Sequence, residues 1–482
     1  MSDDDTRSSV GVLVDDLRAA IGRDHVLTDA TSLRLYGHDA STYRGEAPPV
    51  VCLPGGTDGV AAVVRTARRH GRPFVARGSG TGLAGGAVPL DGAVVVSTTR
   101  MDRILSVDPA ARIAWVEPGV LNLDLTRAVR RHGLHFAPDP SSQQACTIGG
   151  NVANNSGGPH CLASGVTSAH VLAVRVVLPD GDVVELGGEE PEPPGLDLRG
   201  AFVGGEGTLG VATAIAVRLT PDPSTVRTLL LTFDDLGAAA TCVTEVIAAG
   251  IVPAAVEMMD GGLAAVVEDF CGAGYPRDAA AVLLVELDGP PHAVADGAAA
   301  VAALAGGLGV RDVRTAAGDA ERDALWRGRK SAFGAVARIR PDYYLHDTVV
   351  PRTRLVEVLA EVRAIAARHD LLVHDVFHAG DGNLHPLLLF DAREPGVMER
   401  VHAAGEEIAA ASLRAGGVLS GEHGIGLEKR DLMGLQFTDV ELEHQDRLRA
   451  AFDPDRASNP HKVLPGGARC GELGALPEGV WI

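Results

Sequence analysis

The stretch Arg77-Gly78-Ser79-Gly80-Thr81-Gly82-Leu83-Ala84-Gly85-Gly86 decides the fold, and the residues just after it matter as much as its glycines. It extends the strand that starts at Pro73-Phe74-Val75-Ala76. Upstream, Pro54-Gly55-Gly56-Thr57 opens an apolar-periodic helix that runs to His70 and stops at Gly71. Gly80, Gly82 and Gly85 fit the dinucleotide spacing Gly-x-Gly-x-x-Gly. A Rossmann site also needs a helix immediately afterwards, so that the pyrophosphate meets its N-terminus. Here Pro89 and Asp91-Gly92 come next, then the strand Ala93-Val94-Val95-Val96-Ser97. Without that helix, the loop reads as a nest whose successive backbone N–H groups cradle a diphosphate.

A second glycine loop, Gly204-Gly205-Glu206-Gly207-Thr208-Leu209-Gly210, again leads into strand-like sequence, Val211 to Leu219. Between the two loops lie Pro138-Asp139-Pro140-Ser141-Ser142 and Thr147-Ile148-Gly149-Gly150-Asn151-Val152-Ala153-Asn154-Asn155-Ser156-Gly157-Gly158. So many small and amide side chains cannot fill an apolar core. Any one of these loops reads equally well as a crowded hairpin turn, but three in one domain point to a bound cofactor.

The second half has a different texture. From Thr228 the pattern alternates strands (228–233, 254–258, 281–287) with Ala-rich helices (235–249, 261–269, 291–306). Leu355, Leu359, Val362 and Ile365 mark one helical face leading into a strand at 371–377. That strand enters Val376-Phe377-His378-Ala379-Gly380-Asp381-Gly382-Asn383-Leu384-His385-Pro386, and Ser420-Gly421-Glu422-His423-Gly424 comes later. A turn centred on Asp381-Gly382 sets His378 directly opposite His385, with Cβ atoms about 5 Å apart. Two such imidazoles and the Glu422 carboxylate make a three-ligand cation site with open positions, which leaves His423 as a base. Two histidines seven apart are ordinary when taken alone. Glu-His between glycines, however, is a poor way to build a core.

The loops, in this order, resemble the FAD-binding domain of the vanillyl-alcohol oxidase and p-cresol methylhydroxylase flavoprotein superfamily. The tracts 137–167 and 204–210 are similar to its FAD-linked branch that oxidises D-2-hydroxy acids. The nearest pattern is the glycolate oxidase FAD-subunit family, through Glu257-Met258-Met259-Asp260, Trp326-Arg327-Gly328-Arg329-Lys330, Pro341-Asp342-Tyr343-Tyr344, Gly421-Glu422-His423-Gly424-Ile425-Gly426 and the tail Cys470-Gly471-Glu472. The resemblance implies an α+β fold: a two-subdomain FAD-binding domain (residues 1–222), a substrate or cap domain with an antiparallel sheet (223–415), and a C-terminal segment returning to the flavin site (416–482). It implies FAD contacts from Arg77, Gly78, Ser79, Gly80, Thr81, Gly82 and Gly85, then from Pro138, Asp139, Ser141, Cys146, Thr147, Gly149, Gly150, Asn154, Gly157, Gly158 and Gly165, and finally from Glu206, Gly207, Gly210, Val211 and Asn459. It carries the divalent metal, zinc or a similar transition ion, onto His378, His385 and Glu422, the active-site histidine onto His423, and the carboxylate-binding arginine onto Arg329. Taken alone, the basic run at 327–330 reads equally well as a solvated helix face.

Many relatives link the flavin to a histidine near the first loop. No histidine lies between His70 and His132, so noncovalent FAD is implied. His461, in Asn459-Pro460-His461-Lys462, stands where the family usually has Gly. Leu345 and Leu387 stand where the hydroxyglutarate branch is polar, which favours a small monocarboxylate, glycolate or lactate.

Composition sets the outer bounds. The chain has 482 residues, 46% of them hydrophobic, enough for two or three domains. A net charge of -20 argues against nucleic acid and anionic membrane surfaces. The acidic start Met1-Ser2-Asp3-Asp4-Asp5 and the absence of a long apolar span predict a cytoplasmic protein. The six cysteines form no Cys-x-x-Cys pair, so no iron–sulfur site is expected in this chain. The resemblance implies companion flavin-type and iron–sulfur subunits, with peripheral membrane attachment through them and electrons passed to a partner protein or quinone pathway; a stand-alone dehydrogenase and an oxidase using oxygen stay open. The alternatives are a non-catalytic flavin-binding accessory subunit, a D-2-hydroxyglutarate dehydrogenase, or a structural metal protein without flavin.

Overall fold

The computed structural model describes residues 3–190 and 194–466. The tail pattern at 470–472 and the middle of the acidic, Pro-rich tract at 188–195 lie outside the described residues. The chain divides into two compact units. One comprises Met1–Ser156, Val166–Asp222 and Glu422–Ile482; the other comprises Gly157–Gly165 and Pro223–Gly421.

In the first unit, Phe74–Arg77 runs parallel to Val94–Ser97, in register from Phe74↔Val94 to Arg77↔Ser97. Val51–Cys52 adds in parallel and Val26–Leu27 antiparallel, completing a four-stranded sheet. These are continuous apolar runs because both faces are covered. The helix Thr57–Arg69 lays Val60, Val63, Val64 and Ala67 into this core. Leu13 and Leu17 join it from the helix Asp3–Ile21. A second sheet, antiparallel throughout, orders its strands Ile104–Asp108, Ile113–Val116, Val211–Arg218, Val171–Val177, Val183–Gly187. The helices Asn122–Val129 and Ile148–Asn154 contribute Leu125, Val129, Ile148 and Val152 to its core. No helix intervenes between the first glycine loop and Val94, as the sequence implies.

The second unit is built on one antiparallel sheet whose central strands are Val226–Phe233, Ala281–Asp288, Ala255–Asp260 and Leu372–His378. Period-two alternation divides its faces. Leu229, Leu231, Phe233, Leu283, Val285, Val256, Met258 and Phe377 join the apolar core with the helices Leu236–Ala248, Pro291–Gly307, Leu355–Arg368 and Val397–Arg414. The other face carries a polar row. Leu284, Glu257, His378 and Asn383 are successive register partners, and Thr228 pairs with Glu286 one step along.

The hairpin register differs from the sequence expectation. His378 pairs with Asn383 and Asp375 with Pro386, so the loop is Ala379–Gly382 and His385 falls two residues from the position opposite His378. The tip is held from outside. The Gly380 amide donates to Val256 O at 3.0 Å and the Val350 amide to Gly382 O at 3.0 Å. Gly382 has φ +81°, and a Cβ there would lie 2.2 Å from Val350 O, so only glycine fits. A shift of two residues preserves the face.

At the far end of the same strand, Asp260 accepts from His374 Nδ1 at 2.9 Å and from the Asp375 amide at 2.6 Å. Arg363 Nη2 lies 3.4 Å from Asp375 and 4.0 Å from Asp260. Burial and the neighbouring Asp260 charge push the Asp375 carboxyl up to about 7. Burial would lower His374, but its Asp260 partner outweighs that and raises it. Both groups bind protons more tightly when folded, so their stabilisation is complete in acid and is lost as pH rises toward and through neutrality. Asp375→Asn is expected to flatten this dependence and to raise stability at pH 8 by on the order of 1–3 kcal/mol. Urea unfolding at pH 5 and pH 8 checks it; an unchanged pH slope removes Asp375 as the cause.

Candidate active site

In the first unit, five separate tracts converge. Arg77 ends its strand buried, its Nη1 donating to His38 O at 2.7 Å and its guanidinium 5.2 Å from the Tyr36 ring centroid. Gly80 takes φ +75° directly over this side chain, where a Cβ would come within 2.2 Å of Arg77 Nη2. In front of Gly82 and Gly86 the space is open: a Cβ on either would come no closer than 3.9 Å to Asp39 or Glu206. Packing within the chain therefore does not demand those glycines. The open space leaves room for a ligand against the backbone.

Pro138, Asp139 and Ser141 lie in the loop after Leu134–His135, where the buried Asn122 donates to Pro138 O at 2.9 Å and to Asn151 Oδ1 at 3.0 Å. Cys146 is buried with its thiol 3.5 Å from Asn151 Nδ2, and burial raises its pKa. The small and amide residues beyond it form a helix, Ile148–Asn154, capped by Thr147, whose Oγ1 accepts from the Gly150 amide. A Cβ on Gly78 would meet that same hydroxyl at 2.4 Å, and one on Gly149 would meet Pro118 at 2.6 Å.

The return segment closes the group. Asn154 Nδ2 donates to His423 O at 2.7 Å. The Glu206 carboxylate accepts the Ile425 and Gly426 amides, both at 2.7 Å. Burial outweighs these bonds and nearby lysines and pushes its carboxyl up to about 7. Asn459 Nδ2 bridges Gly86 O at 2.8 Å and Glu206 O at 2.7 Å, and Ser458 Oγ reaches Gly207 O at 2.7 Å. Gly210 sits tight against Val177, and Val211 starts the strand that pairs with it. His461 has φ +61°, a left-handed conformation that favours glycine. Its Nε2 is tied to Asp91 at 2.5 Å.

Gly157, Gly158 and Gly165 belong to the other unit. Their segment is anchored there by His160, stacked on Trp326 with ring centroids 5.6 Å apart, and by Leu162 packed against Gly380.

In the second unit the structure brings His378 and His385 together, their ring centroids 5.1 Å apart and their ligating nitrogens within 4.8 Å. Both are buried, at 3% and 2% exposure. Reasoning from sequence missed the carboxylate beneath them. Glu257 accepts from His378 Nδ1 at 2.8 and 3.0 Å, and its Oε2 lies 2.6 Å from Arg329 Nη2. Burial alone would raise Glu257, but the Arg329 charge and His378 hold it below the usual carboxylate range. Arg329 is 1% exposed, on the helix Asp319–Ala335, so the basic run is not a solvated face at this position. Its Nε is buried with no hydrogen-bond partner among the described residues, the kind of orphaned donor that an anionic ligand satisfies.

Asp347 was also missed. It is fully buried, accepts from Ser420 Oγ at 2.6 Å and the Gly421 amide at 3.0 Å, and lies 3.9 Å from His385 Nδ1. Gly421 is thereby tied to the carboxylate that lies next to His385. Two imidazoles, one with Nδ1 committed to a carboxylate, are a donor set that suits a divalent transition ion.

Known proteins resemble this chain over most of its length. The family "FAD linked oxidases, C-terminal domain" matches residues 222–463, and "FAD binding domain" matches 48–187. The chain is 46% identical to glycolate oxidase subunit GlcD of Escherichia coli (strain K12), over 90% of this chain and 87% of that one. It is 32% identical to D-lactate dehydrogenase of Anaerostipes hadrus, over 89% and 92% of the two chains. It shares the fold of p-cresol methylhydroxylase, with TM-score 0.79 at 19% identity, covering 94% and 96% of the two chains. By its family matches, its curated relatives and its fold, the chain belongs to the FAD-linked oxidases.

Proposed function

We propose that this chain oxidises a small D-2-hydroxy acid, of the glycolate or D-lactate class, to the 2-oxo acid, with noncovalent FAD. The observation that carries this reading is the buried His378–His385 pair beside an arginine with an orphaned Nε, in a chain of the FAD-linked oxidase family. Arg77, Gly78, Ser79, Gly80, Thr81, Gly82 and Gly85, with Pro138, Asp139, Ser141, Cys146, Thr147, Gly149, Gly150, Asn154, Gly157, Gly158, Gly165, Glu206, Gly207, Gly210, Val211 and Asn459, would hold FAD, which would supply the hydride acceptor. His378, His385 and Glu422 hold a divalent ion, which supplies Lewis acidity toward the substrate hydroxyl. Arg329 binds the substrate carboxylate with the donors that Glu257 does not use. An imidazole nitrogen of His423 accepts the hydroxyl proton as the α C–H bond breaks.

Leu345 and Leu387 support a monocarboxylate. They are direct register partners, both buried, so neither of these two side chains offers a donor to a second carboxylate. No described helix is long and apolar enough to cross a membrane. Electrons pass to a partner protein or a quinone pathway, in the cytoplasm or at the inner membrane face.

Anaerobic mixing of the purified yellow protein with glycolate, D-lactate and D-2-hydroxyglutarate tests the reading. Bleaching by one of the first two is expected; no bleaching by any acid would make the chain an accessory flavin carrier. Stripping with a chelator is expected to abolish turnover while the protein stays yellow, and added zinc to restore it. Full activity in metal-free protein rejects the ion.

A further inference from the structure

We infer that Glu257 is a positioning residue that sets both the metal-ligating tautomer of His378 and the pose of Arg329; this rests on the metal and carboxylate roles proposed above. Glu257 stands in the middle of Ala255–Asp260, and its Cα is the direct register partner of His378 on the adjacent strand. Its carboxylate is wholly buried. An ionised carboxylate can only accept, so both of its contacts with His378 place the ring proton on Nδ1 and the lone pair on Nε2. A ring fixed this way cannot turn Nδ1 toward the ion, and its basicity is raised. The same Oε2 lies against Arg329 Nη2 and leaves the buried Nε without a partner among the described residues.

One side chain thus couples a residue of the sheet to a residue of the helix Asp319–Ala335. A purely structural ion pair would need Arg329 and Glu257 only. The paired contacts to His378 are what a structural role leaves unexplained.

The test compares zinc affinity, by competition with a chromophoric chelator, in FAD-loaded wild type, Glu257→Gln and the double variant Glu257→Met/Arg329→Met. The double variant removes both buried charges together, so it is expected to fold even if the single variant does not. Both are expected to bind zinc roughly 10- to 100-fold more weakly than wild type. In Glu257→Gln the KM for the hydroxy acid should also rise, because Arg329 loses its rest. Wild-type zinc affinity in the double variant would reduce Glu257 to a counter-charge for Arg329 and overturn the proposal. Equal affinity in a folded Glu257→Gln would do the same. A wild-type protein that takes up no zinc overturns the metal reading itself, and the Glu257 role with it; that pattern is distinct from a loss confined to the variants.

Discussion

His423→Ala is expected to slow reduction of the bound flavin by the hydroxy acid by on the order of 10² to 10⁴, the usual contribution of a positioned base. The main chain around it is held by other groups: Asn154 grips the His423 carbonyl, and Glu206 clamps the next two available amides, at Ile425 and Gly426. Gly424 takes φ +86° against Glu206, which fixes the turn regardless of the side chain before it. FAD content and melting temperature should therefore match wild type, so a lost rate reports chemistry. Anaerobic stopped-flow bleaching gives the rate directly, and a variant as fast as wild type would take the base role away from His423.

Glu286→Ala is expected to cost about 3–5 kcal/mol of stability, the range for breaking a buried charge pair from one side. The Glu286 carboxylate receives Arg322 Nε and Nη2 at 2.8 and 2.7 Å, Trp326 Nε1 at 2.6 Å and Thr228 Oγ1 at 2.7 Å. His160 Nε2 stands 3.4 Å away. Burial would raise this carboxyl, but the donors outweigh it and hold it far below the ordinary range. Its stabilisation is present above the unfolded value and is lost as pH falls. Urea denaturation at pH 7 should show the full loss and at pH 3 a smaller one. A cost below about 1 kcal/mol at pH 7 would mean that the donors find other partners.

The glycine tracts were legible because their chemistry is local: apolar strands with no helix after either loop exclude the Rossmann reading on sequence alone. The histidine hairpin was legible in part. Its face came from alternation, which survives a two-residue slip. Its register did not, because Gly380 and Gly382 bond to Val256 and Val350, residues remote in the chain, and those contacts draw Ala379 and Gly380 into the loop. Glu257 belonged to a recognised pattern, yet its partner lies 121 residues away and no spacing announces it. The same holds for Glu286. Its alternating strand predicts a polar face but not four donors converging on it. Thr147 is an ordinary helix cap in retrospect, obscured by the glycines and asparagines after it. His461 departs from the glycine that the resemblance implies, and its backbone takes the left-handed conformation that glycine favours.

The chain's route through its two units bears on how it is made. Every residue of the second unit has left the ribosome once Gly421 emerges, whereas the first unit still lacks the strand-edge and loop partners supplied by Ser458, Asn459 and the segment after Glu422. Phe74–Arg77 must wait for Ser458 and Asn459, some 380 residues downstream, before its edge is covered. The unit whose sequence begins first is therefore the last to be completed during synthesis.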